Sequence, residues 1–173
     1  MPTKIREAQP PQGLMRGLFR LPIWLFHWHL GWLLMGRFLL LTTTGRKSGL
    51  PRQTVVEVLS YDRANDTYYA LAGFGERTDW LRNIEKTPQV TIHVGRRRFE
   101  ALAERLSPQE AAAKVLDYAH HNPLAIRVLP RLLGYRLDGS DEDFRALAHL
   151  SVVIAFHPIA VSQSKAQQDV VRR

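Results

Sequence analysis

The 173-residue chain is 45% apolar and 23% charged, which excludes a wholly disordered polymer and suits one domain with a substantial core. It has no cysteine, so disulfides, thiolate zinc sites, cysteine-ligated iron–sulfur clusters and cysteine nucleophiles are excluded. The formal charge is +8, and residues 1–52 hold eight basic residues against one acidic, a local excess that suits phosphate, an anionic ligand or an anionic membrane surface better than nucleic acid.

Residues 1–21 read as a flexible basic extension. Residues 22–35 predict an aromatic helix, with Pro22 in its first turn and Gly36 at its end. Trp24, Trp28 and Trp32 recur every four positions, which suits a helix closing a core or dimer interface, or one lying on a membrane surface. Pro22, His27, His29 and Gly31 interrupt the apolar run below the ~20 residues a span requires. His27 and His29, two apart, do not share a helix face and are not read as a metal pair.

Phe38–Leu41 with Thr42–Thr44 predicts a strand. The chain then enters Gly45-Arg46-Lys47-Ser48-Gly49-Leu50-Pro51-Arg52 before a strand resumes over Gln53–Ser60. Glycines allow a tight turn, Arg46, Lys47 and Arg52 can surround a phosphate, and Ser48 or Thr54 can add a hydroxyl. Neither GxxxxGK[ST] nor GxGxxG is present, so on composition alone a phosphate site and an exposed basic hairpin turn both stay open.

Asp62–Asp66 predicts a turn and Thr67–Ala72 a strand broken by Gly73-Phe74-Gly75. Thr78 is placed to cap a short helix from Asp79, stopped by Pro88, with Trp80 and Ile84 on one face and Asn83 at its edge. Asn83 can there approach a ligand or make a turn contact. Val90–Val94 alternates as a strand with His93 outward, a turn covers Gly95–Arg98, and Phe99–Leu106 is the next strand. Arg96–Arg98 reads as a solvated turn in preference to an anion site. Ser107-Pro108-Gln109-Glu110 is a capping box opening a helix to about Ala119. Further helices are predicted after Asn122-Pro123, kinked at Pro130, and over Phe144–Leu150, followed by a strand at Ser151–Phe156. Residues 159–173 form a polar tail.

Short strand connections exclude parallel crossovers. The expected fold is α+β: a split β-barrel, mostly antiparallel, with flanking helices, spanning residues 22–158 as a cofactor-binding domain. No carboxylate pair, Ser–His–Asp set or metal cluster is evident; His120 and His121 read as a helix end. Tyr118 and Tyr135 are candidates to orient a substrate oxygen or donate a proton. A phosphate-bearing redox cofactor accounts for more of these features than acid–base chemistry by side chains does.

At LLLTTTGRKSGLPR, residues 39–52, and YYALAGFGERTDWLRNIEKTPQVTIHVG, residues 68–95, the chain resembles the deazaflavin (F420)-dependent nitroreductase and quinone reductase family of split-barrel flavin/deazaflavin oxidoreductases. That resemblance, which covers about residues 22–158, implies coenzyme F420, hydride transfer, and a quinone, nitroaromatic or conjugated electrophile as the small-molecule acceptor. It places the cofactor's phosphate-bearing tail against Arg46, Lys47, Ser48 and Arg52, with Thr54 beside them. It places the ring end at Trp80 and Asn83, the family's W-x-x-N element, and at the Gly73-Phe74 bend, where a donor serine found in some members is absent. An FMN-dependent reductase, a non-enzymatic deazaflavin carrier and a membrane-associated interaction protein are the alternatives. A cytoplasmic location, with peripheral contact at an anionic inner membrane face and a homodimer as further expectations, completes the reading.

Overall fold

The computed structural model describes residues 3–4, 36–72, 75–122, 135–136, 142, 145–146, 149 and 151–159. The aromatic segment 22–35, the Gly73-Phe74 bend and most of residues 123–150 lie outside them, as does the tail from residue 160. So do the expectations attached to these segments.

Six strands close into an antiparallel barrel: β1 (Phe38–Thr44), β2 (Pro51–Asp62), β3 (Thr67–Leu71), β4 (Gln89–Val94), β5 (Arg97–Arg105) and β6 (Val153–Pro158). Around the ring the order is β1-β2-β3-β6-β5-β4. The register is set by alternation, because a one-residue slip would turn every inward side chain outward. Leu39 and Leu41 of β1 face Val56 and Thr54 of β2, and Ile92 of β4 lies opposite Leu41. Leu39, Leu41, Val56, Tyr68, Ala70, Val90, Ile92, Ala101, Ile154 and Phe156 fill the interior.

Two helices cover this ring. The first, α1 (Asp79–Lys86), follows a 3-10 turn at Gly75–Arg77 and adds Trp80, Leu81 and Ile84 to the barrel's own core, so it packs as a plug. The second, α2 (Pro108–His121), lies outside, packing Ala111, Ala112, Val115 and Tyr118 on Leu59 and Val153. Its capping box forms as expected: Glu110 N–H donates to Ser107 Oγ at 3.4 Å, and Ser107 N–H donates to Glu110 Oε2 at 3.0 Å. A separate two-residue ladder pairs Thr3–Lys4 with Tyr135–Arg136. No helix among the described residues is long and apolar enough to cross a membrane.

The elements follow the sequence, with differences mostly at their boundaries. β2 starts at Pro51 and runs to Asp62, longer than expected at both ends, because β1 pairs with it as far as Thr44↔Pro51 and β3 as far as Asp62↔Thr67. β5 starts at Arg97, since Gly95 at φ 57° lets the chain reverse in two residues and Val94 pairs with Arg97 directly. The last strand begins two residues later than expected, at Val153, and α2 runs two residues further, to His121. Thr78 sits at the N-cap of α1 as expected but makes no capping hydrogen bond; its Oγ1 is buried without a partner among the described residues.

Candidate functional site

The β1–β2 turn is built by its glycines. Gly45 N–H donates to Leu50 O at 2.9 Å and Gly49 N–H to Gly45 O at 2.8 Å, which folds Arg46–Ser48 into a single tight bend. A Cβ at Gly45 would meet Ser48 Oγ at 2.9 Å and Leu50 O at 3.0 Å, so any other residue would force the turn to shift. Gly49 at φ 67° takes the left-handed conformation that glycine adopts without strain. Ser48 Oγ then accepts from Leu50 N–H at 3.3 Å and from Arg52 Nη2 at 3.4 Å, tying the tip to the start of β2.

Helix α1 grips this bend from one side. Asp79, Asn83 and Lys86 fall at i, i+4 and i+7, one face of the helix. Arg46 Nη2 donates to Asp79 Oδ1 at 3.0 Å, and its Nη1 donates to Asn83 Oδ1 at 3.3 Å and to Asp79 O at 3.4 Å. The Arg46 backbone N–H donates to the same Asn83 Oδ1 at 3.1 Å. Lys86 Nζ donates to Arg46 O at 2.9 Å. Asn83 is 4% exposed, and its Nδ2 donates to Thr43 Oγ1 at 3.0 Å. Asn83 thus bonds a strand end and the basic turn at once.

What this leaves uncommitted is specific. Lys47 is exposed and has no hydrogen bond or ion pair among the described residues. The Arg52 guanidinium is bonded there only to Ser48 Oγ. Arg52 and Thr54 lie two apart on β2, opposite Thr43 and Leu41, and so share the face turned toward the barrel interior. Two cations and a hydroxyl, on a bend held in place from below, form a donor set that fits a phosphate-bearing group.

Of the residues singled out from the sequence, Arg46 is bonded to Asn83 and Ser48 to Arg52, and Thr43 links the two pairs by accepting from Asn83 Nδ2 and donating to Arg52 O at 3.4 Å, with Lys47 at the tip of the turn. Thr54 is half-buried one step down the strand. Trp80 is 8% exposed and packs into the core, its ring 6.4 Å from that of Phe156. Tyr118 stands apart. Its hydroxyl donates to Glu57 Oε1 at 2.6 Å on the outside of the barrel, where Glu57 pairs with Phe38 at the far end of the β1–β2 hairpin. Glu57 lies six positions along β2 from Pro51, roughly 20 Å of strand. Burial first, then the Glu57 carboxylate, pushes the Tyr118 hydroxyl pKa up, so it holds its proton more firmly than an ordinary tyrosine. For Tyr135 only the backbone is described. The residues that sequence reasoning missed are Thr43, Asp79 and Lys86; the 79–83–86 spacing on a helix following a basic turn was the available signal.

These features define a split-barrel protein with a cationic hairpin turn braced by an interior-plugging helix. The architecture is also that of the Agrobacterium tumefaciens protein Atu2129, of unknown function, which is 17% identical with a TM-score of 0.51 over 72% of this chain and 49% of that one. Residues 27–125 match the family described as F420H(2)-dependent quinone reductase, and the chain belongs to it. The F420H(2)-dependent quinone reductases of Mycobacterium tuberculosis strains H37Rv and CDC 1551 are each 37% identical over 84 residues, 47% of this chain and 51% of theirs. The chain therefore spans about half the length of the curated relatives it matches.

Proposed function

We propose that the protein is an oxidoreductase that binds F420 and passes a hydride from its reduced form to a quinone, with nitroaromatics and other conjugated electrophiles as related acceptors. The single observation that carries this reading is the exposed pair on the braced turn, Lys47 with no bond and Arg52 bonded only to Ser48 among the described residues, in a chain whose family is named for F420H(2)-dependent quinone reduction. When bound, reduced F420 supplies the hydride, and a quinone that gains it with one proton leaves as the hydroquinone.

The chain's own residues have a positioning task. Lys47, with its flexible point charge, and Arg52, with its planar fork, hold the anionic tail, and Ser48 fixes where the Arg52 fork lies. Trp80, locked in the core, keeps α1 and hence the turn at a fixed height on the barrel. Such preorganisation raises affinity by removing ordering cost at the moment of binding. Solvent is the better proton source than Tyr118, whose hydroxyl is already donated to Glu57.

Titration of the purified chain with oxidised F420 and with FMN separates the two cofactors, and turnover of reduced F420 with a benzoquinone separates an enzyme from a carrier. Saturable F420 binding with quinone-dependent reoxidation is expected. Binding of FMN in its place would replace F420 in the reading, and binding of neither would end it.

A further inference from the structure

We infer that Arg46 is not a tail ligand but a strut: Asn83 and Asp79 of α1 hold its guanidinium and backbone, and this fixes the turn so that Lys47 and Arg52 alone meet the anion. The inference deepens the F420 reading and rests on it for the identity of the anion, while the strut itself is a property of the free protein.

Three observations support it. The Arg46 guanidinium is engaged at both terminal nitrogens, one on Asp79 Oδ1 and the other shared between Asn83 Oδ1 and the Asp79 carbonyl. A phosphate that recruited it would have to share the guanidinium with these acceptors, which already take three of its five N–H donors. Its charge is already matched by the Asp79 carboxylate at 3.0 Å, so the pair presents little net field to an incoming anion. Finally, Asn83 is used up. Its Oδ1 accepts both the main-chain N–H and the side chain of Arg46, its Nδ2 is donated to Thr43, and it is buried. A side chain so placed transmits the position of α1 to the turn, and Lys86 closes the same grip on the Arg46 carbonyl. Asn83 is therefore a positioning residue, and the basic turn divides into one cation that shapes and two that bind.

The test uses the full chain and two independent readouts. In the free protein, amide hydrogen exchange should show the Arg46 N–H protected relative to that of Lys47, and Asn83→Ala should remove that protection while Asn83→Asp, which keeps the acceptor, restores most of it. F420 affinity is then measured across salt concentrations, since screening reports charges that face the ligand. Lys47→Met and Arg52→Met should each weaken binding about tenfold and flatten its salt dependence. The charge-conserving double variant Arg46→Met/Asp79→Asn should weaken binding with the salt dependence of the wild type, because it disorders the turn without changing the field. Thermal melts confirm that each variant is folded. An Arg46 amide that exchanges as freely as that of Lys47, or a double variant whose salt dependence flattens as much as that of Lys47→Met, overturns the strut. If the wild type binds no F420, the cofactor reading falls and the exchange experiment still decides the strut.

Discussion

The two ends of the barrel use arginine differently. At the end opposite the basic turn, Arg97 reaches across from β5 to Asp66 in the β2–β3 turn with two bonds of 2.8 and 2.6 Å. Tyr61 donates to the same Asp66 at 2.7 Å, stacks on Tyr68 with centroids 4.3 Å apart, and Arg97 lies 5.1 Å over the Phe99 ring. Both terminal nitrogens of that guanidinium are bonded, and its pKa is raised, chiefly by the Asp66 bond. At the turn end one arginine is likewise enclosed, but Lys47 and Arg52 are left over. A cluster of like charges is thus not one thing: closed pairing staples two hairpins, and uncommitted cations on a braced bend suit a ligand.

Four tests, using five substitutions, would break or sharpen this contrast. The largest effect is expected for Trp80→Ala, which empties the junction between α1 and the barrel. It should cost about 3–5 kcal/mol in chemical denaturation, and the F420 affinity of the protein that remains folded should fall as well, because α1 no longer holds the turn in place. Next, Lys47→Met and Arg97→Met should exchange their signatures. The first should weaken F420 binding about tenfold with an unchanged melting temperature, and the second should leave binding alone while removing about 1 kcal/mol of stability.

A third test follows from acid titration. The Arg97 bond, then Tyr61, lowers the Asp66 pKa from 3.8 to about 2. A carboxylate with a depressed folded-state pKa contributes stability that is fully present above its unfolded value and is lost as pH falls through the folded one. Asp66 is 39% exposed, so solvent screening reduces the contribution to about 1 kcal/mol. Asp66→Asn should therefore flatten the stability profile between pH 4 and pH 2, and an unchanged acid limb would show the pair contributes nothing. The smallest effect belongs to Thr78→Val. Since the Thr78 hydroxyl is buried without a partner among the described residues, the valine should be neutral or stabilising by up to about 1 kcal/mol. A loss larger than that would mean the hydroxyl is satisfied in solution.

The barrel was legible because alternation in Val90–Val94 and the capping box at Ser107–Glu110 are local signals with direct structural consequences. The basic turn was legible too, as a cluster of cations between glycines. What sequence could not supply was the division of labour inside it. Arg46 and Lys47 are neighbours of the same charge, and only the approach of α1, 33 to 40 residues later in the chain, assigns one to Asp79 and Asn83 and frees the other. Asn83 was read as approaching a ligand or making a turn contact, and its bonds to Thr43 and Arg46 are of the second kind. Tyr118 is a sequence candidate to orient a substrate oxygen or donate a proton, but spacing along α2 cannot show that it meets Glu57 on the outer wall. The boundaries of β2 and β5 were missed for a related reason: their ends are extended by partners, not by propensity.

Closure of the six-stranded ring has one more consequence. Each barrel strand has a neighbour on both sides, so the barrel offers no row of unpaired backbone groups onto which a foreign peptide could be templated. Whatever this barrel associates with must recognise side chains and shape, and the wall itself is poorly suited to seed fibrillar self-assembly.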